Sequence, residues 1–251
     1  MPRFDRNTAA RAIETLLAGW LPVDLAQARL RDDYVAFVRA GGSSALDRDG
    51  GAEHLTASCF VFTPDLSRVL LCFHKKGQFW VQLGGHIEAS DVSVAAAALR
   101  EAREEGGIAE LSALGGLGGL DSLGALDALG GLDGLGAATE GEAVDPLPVD
   151  VHRHALSSRF GRCTTHWDIG FAAVARADAT PATSHESEDV AWWPTNALPQ
   201  QVPEGFGDRL AVVLRELGHR VKPAHRPQKM IPSGASAPPG IRSGFGAARN
   251  P

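Results

Sequence analysis

Cysteine is scarce in this chain: Cys59, Cys72 and Cys163 are the only three in 251 residues, widely spaced and without a CxxC pair. That excludes a disulfide framework and a zinc ribbon as the basis of the fold. No apolar run reaches the roughly 18 residues of a membrane helix. The opening MPRFDRNTAARAIE carries charge where a signal peptide needs an apolar stretch, so a cytoplasmic protein is expected. Basic charge is also short, with 24 Lys+Arg against 30 Asp+Glu and a net charge of −6. Residues 222–251 hold five Lys/Arg and no acid, so residues 1–221 carry −11. An acidic body is a poor match for a nucleic-acid duplex, so no specific nucleic acid is expected as a partner, and without a spanning apolar run no membrane is.

What is present is enough chain for one domain with appendages. Residues 8–20 and 24–39 have apolar positions at three- and four-residue spacing and predict two amphipathic helices within an N-terminal extension, 1–50. The main domain is expected over 51–221. Strands are predicted at 54–62 and 67–75, joined as a hairpin by the turn-forming Thr63–Leu66, and at 78–83 running into Gly84-Gly85. A helix follows at 91–106, then strands at 148–156, 167–176 and 189–193, and a last helix at 206–217. Within 111–143 a leucine falls at every third residue from Leu111 to Leu135, and L-G-x-L-D-x recurs three times. The nine glycines within 111–136 would each cost a helix about 1 kcal/mol, so this reads as a low-complexity loop insertion. The tail at 222–251 has six Pro, four Gly and one aromatic, too little to order itself.

The chemistry concentrates at Gly84-Gly85-His86-Ile87-Glu88, Asp91 and Arg100-Glu101-Ala102-Arg103-Glu104-Glu105-Gly106-Gly107-Ile108. On a helix Glu101 and Glu105 stand about 40° apart, with Glu104 about 60° to the other side of Glu101. Three carboxylates on one arc repel each other, and a hard divalent cation relieves that strain. Gly84-Gly85 lets backbone approach a ligand without an intervening side chain.

This segment resembles the Nudix box, G-x5-E-x7-R-E-U-x-E-E-x-G-U, where U is aliphatic. Gly85, Arg100, Glu101, Glu104, Glu105, Gly107 and Ile108 match as they stand. Two departures stand out: the first acid is Asp91, separated from Arg100 by eight residues instead of seven, and Ser90 replaces the glycine common before it. The resemblance extends over roughly 54–200, and the fold it implies is a Nudix-type α/β/α sandwich around a mixed sheet. It implies that Glu101, Glu104, Glu105 and the Gly84 carbonyl hold magnesium, with manganese as a substitute, while Arg100 steadies the glutamates. A general base from a late loop makes Glu186 and Glu188 candidates. Lys75 and Lys76 are candidates for phosphate, and Trp80 for stacking on a base. His152 and His154 share a strand face without a third ligand in view. The activity implied is hydrolysis of a diphosphate linkage in a nucleoside diphosphate derivative, a small-molecule nucleotide substrate, with a homodimer as a candidate assembly. The rival readings are a ligand-sensing module without turnover and a prenyl-diphosphate isomerase using a cysteine such as Cys59 or Cys72.

Overall fold

The structure, a computed structural model, describes residues 5–114, 146–156, 163–184 and 187–220. Most of the leucine-rich insertion, the basic tail and Glu186 lie outside the described residues. No described helix is long and apolar enough to cross a membrane.

Two helices open the chain, α1 (Arg6–Gly19) and α2 (Leu25–Gly41), each started by an aspartate whose side chain accepts backbone N–H groups of the first turn, Asp5 and Asp24. Strands β1 (Glu53–Phe62), β2 (Arg68–His74), β3 (Phe79–Val81) and β4 (Leu83–His86) lead to α3 (Val94–Gly106). The short β5 (Ser112–Ala113) is followed by β6 (Asp150–Ala155), β7 (Thr165–Val174), β8 (Ser187–Pro194) and α4 (Phe206–Arg220). All eight described strands form one mixed sheet, in which β1 runs parallel to β7 along its whole length.

The predicted β1–β2 hairpin is paired only at its closed end, Val61↔Leu70 and Phe62↔Val69. The earlier half of β1 pairs instead with β4, Thr56↔His86 through Cys59↔Leu83. The single strand expected at 78–83 is therefore two, β3 on β2 and β4 on β1, and the break carries the glycine pair to the sheet centre.

Strand alternation divides β1 between two cores. Leu55, Ala57, Cys59 and Val61 face α1, α2 and α3, while Phe60 and Phe62 face Phe206, Leu210, Val213 and Leu217 of α4. This is an α/β/α sandwich. The N-terminal helices belong to its core: Phe37 stacks on Trp167 at 4.3 Å, and Tyr34 donates to the Asp168 carbonyl at 3.0 Å. Gln27 pairs its amide with both the N–H and the carbonyl of Val151, covering the edge strand β6 as a neighbouring strand would.

Candidate active site

Strand β4 joins the two halves of the motif. The Gly84 N–H donates to Glu105 Oε2 at 2.8 Å. A Cβ at Gly85 would lie 2.6 Å from Glu101 Cδ and Oε1, so the helix carboxylates press directly on bare backbone. Helix α3 makes this approach with small residues, since Ala95, Ala97, Ala98 and Ala102 are all buried against the sheet. Ser93 caps it by accepting from Ala96 N–H, and Gly107 ends it in the left-handed conformation at φ 65°.

The three carboxylates are not equivalent. Glu105 is buried, Glu101 half-buried and Glu104 exposed. Arg100 organises them. Its Nη1 donates to Glu101 Oε1 at 3.0 Å and Glu104 Oε2 at 3.1 Å, and its Nη2 to the His86 carbonyl at 2.9 Å. Its strongest engagement is with Asp91, which accepts from Nε at 2.9 Å and from Nη2 at 3.0 Å. Those bonds to Asp91, with the glutamate charges, outweigh desolvation and push the guanidinium pKa up.

Asp91 thus has a place of its own. It is buried in the loop ahead of the helix, which begins at Val94 rather than at 91, and it also accepts the Glu88 N–H at 2.7 Å. The extra residue before Arg100 is absorbed in this loop. Asp91→Asn keeps the size but loses charge-assisted bonds worth about 1.5–3 kcal/mol each. Unfolding in urea should show a loss of about that size. An unchanged denaturation midpoint would remove Asp91 from this role.

Other predicted residues stand apart from this cluster. Lys75 and Lys76 are exposed in the turn between β2 and β3. Glu188, exposed on β8, accepts from Gln78 Nε2 at 3.1 Å across the same turn. Trp80 is corrected: its side chain is buried, with Phe73 and Trp193 edge-on at 5.5 and 5.3 Å, which makes it a core residue rather than a stacking platform. Both early-strand cysteines are buried as well, at 0% and 1% exposure, which puts both thiols out of reach of a prenyl diphosphate, and burial pushes the Cys59 thiol up to about 12.

Sequence reasoning weighed only His152 and His154. The structure brings His54, His86 and His166 together near them, from three strands far apart in sequence. Burial, and then neighbouring charges, holds His86 down to about 4 and His166 down to about 3. The available signal was alternation: each of the five stands in a segment read as a strand or next to one, but only register shows that they share a face.

Residues 52–128 match the family of the NUDIX domain. No curated protein matches the chain. Among solved structures, a NUDIX-family hydrolase from Clostridium perfringens is 21% identical, with a TM-score of 0.46 over 66% of this chain and 97% of that one. The E. coli dihydroneopterin triphosphate pyrophosphohydrolase is 14% identical, with a TM-score of 0.42 over 65% and 95%. The NUDIX domain of Shewanella oneidensis NrtR, complexed with ADP ribose, is 18% identical, with a TM-score of 0.42 over 68% and 93%. The family match spans β1 to β4 and the whole of α3, glycine strand and acidic helix together, so this chain carries a NUDIX domain over residues 52–128.

Proposed function

We propose that this chain is a magnesium-dependent Nudix hydrolase that cleaves the diphosphate linkage of a nucleoside diphosphate derivative. The observation that carries the reading is the contact between α3 and β4, where Arg100 gathers Glu101 and Glu104 and the Gly84 N–H holds Glu105. The donor set fits a hard cation: carboxylate oxygens converge on a glycine cradle that a Cβ at position 85 would fill. Glu101, Glu104, Glu105 and the Gly84 carbonyl would hold magnesium, or manganese in its place. When bound, the ion supplies charge neutralisation for phosphate oxygens and acidifies a water.

The chain's own groups then do the positioning. Arg100 fixes the rotamers of two glutamates before substrate arrives, so little reorganisation remains. Lys75 and Lys76, exposed in the turn between β2 and β3, offer positive charge for phosphate. The loop leading to Glu186 and Glu188 is tied to the end of α3 by the Ala182 N–H on the Gly106 carbonyl at 3.0 Å, which favours an acid from that loop as the general base.

The test is a panel of nucleoside triphosphates, dinucleotides and nucleotide sugars, assayed for monophosphate release with magnesium and with EDTA. Magnesium-dependent release from at least one of them is expected. Glu186→Gln or Glu188→Gln should lower kcat by roughly tenfold to a thousandfold at one of the two positions. Tight binding of a nucleotide with no release under any metal would establish a sensing module instead.

A further inference from the structure

Five histidines crowd one face of the sheet. His54 of β1 stands directly opposite His166 of β7, and His166 directly opposite His154 of β6. His86 of β4 pairs with Thr56, two residues along β1 from His54 and therefore on its face. The ring centroids of His54, His86 and His166 lie 4.8 to 5.6 Å apart. One nitrogen from each of these three falls within 4.8 Å of the others. Tetrahedral zinc, at 2.0–2.1 Å from each imidazole nitrogen, holds such atoms about 3.3 Å apart, a distance that modest ring rotations reach.

An independent observation concerns His54. It is 1% exposed, and its Nδ1 lies 3.3 Å from the Cys163 Sγ. Its Nε2 is buried and has no hydrogen-bond partner among the described residues. A buried polar nitrogen left unsatisfied is costly, and the tilted rings of His86 and His166 beside it give it no hydrogen bond. A metal would satisfy it.

We propose that His54, His86 and His166 bind one divalent transition metal, zinc or an ion of similar preference, at a site distinct from the carboxylate helix. Borderline imidazole ligands select zinc, cobalt, nickel or copper, whereas magnesium prefers oxygen. The two sites lie on opposite faces of β4. Position 85 turns toward Glu101, while the His86 side chain turns toward the imidazoles and its carbonyl accepts Arg100. A metal there pins β4 to β1 and β7, and so steadies the strand that presents Gly84. His86 and His166 are only half-buried, which leaves an approach for a fourth ligand such as water. Cys163 acts as a positioning residue that orients the His54 ring.

The experiment uses the full chain without an added histidine tag, stripped by chelation and kept in saturating magnesium. Zinc is titrated in competition with a chromophoric chelator, and cobalt is added separately for its visible spectrum. One zinc per chain is expected, with a cobalt spectrum of the intense four-coordinate kind. His166→Gln and His86→Gln, both at half-buried positions, should weaken zinc by more than the roughly hundredfold upper cost of a lost outer partner, and Cys163→Ala by about tenfold. Far-UV circular dichroism establishes that the variants fold. Glu101→Gln should leave zinc affinity unchanged. The proposal fails if folded His166→Gln binds zinc as wild type does, if zinc binding follows Glu101, or if the wild-type chain takes up no zinc in the presence of magnesium.

Discussion

Glu105→Gln is expected to lower turnover of a diphosphate-linked nucleotide at least about a hundredfold while leaving the fold in place. Sequence geometry treated the three glutamates as one exposed acidic arc, but Glu105 is buried and already holds the Gly84 N–H at 2.8 Å. The amide oxygen of glutamine can still accept that bond, so β4 keeps its register against α3. What the variant loses is the negative charge that, under the proposed function, would face the cation. Circular dichroism and the urea midpoint should therefore stay near wild type while kcat collapses, and extra magnesium should recover little. Near-normal kcat at saturating magnesium would show that Glu105 is only a structural acceptor.

The order of elements and the acidic helix were legible because they rest on local signals. Alternation marks β1 and β7, and Asp24 and Gly107 mark helix ends, while the Asp5 cap shows only in the structure. The break between β3 and β4 was not legible, since it depends on β1 choosing β4 over β2 for half its length. The role of Asp91 was hidden for a similar reason: a one-residue shift in sequence looks like a defect until the loop is seen to fold it onto Arg100. Trp80 was misplaced because a strand tryptophan has the same pattern whether it stacks on a ligand or on Phe73 and Trp193. The N-terminal helices read as an appendage, yet Trp20 donates to Glu216 of α4 and Phe37 covers Trp167. Long-range pairings of this kind leave no periodic trace. Arg209 shows the limit most clearly, because in FGDRLAVVLREL it looks like part of a solvated helix face.

In the fold Arg209 is buried between two buried acids, and Arg209→Met should cost about 3–5 kcal/mol of stability. Its guanidinium meets Asp150 at 2.5 Å and Asp168 at 2.8 Å, and lies over the Phe60 ring at 5.1 Å. Asp168 also accepts from Ser58 at 2.6 Å and Thr56 at 3.1 Å. Burial works to raise the Asp168 pKa, but the Arg209 charge and the Ser58 hydrogen bond prevail, and the carboxyl sits below its ordinary value. For Asp150 burial prevails over the same arginine and the pKa is raised. Methionine fills a similar volume but leaves both carboxylates without a cation. Both would then titrate above their unfolded values, so the folded variant binds protons more readily than its unfolded chain. Its stability must fall as pH rises through the unfolded carboxylate range and beyond. The deficit against wild type should thus be largest near neutral pH and shrink on acidification, first as the stranded carboxylates of the variant take up protons, and below about pH 4 also as Asp168 protonation removes stability from the wild type. Urea unfolding of both proteins from pH 8 down to pH 4 measures this directly. Adding Asp150→Asn and Asp168→Asn to the variant should flatten its pH dependence and recover part of the loss, since the cost arises from the stranded charges. A deficit that stays constant across pH would mean that Arg209 contributes by packing on Phe60 alone.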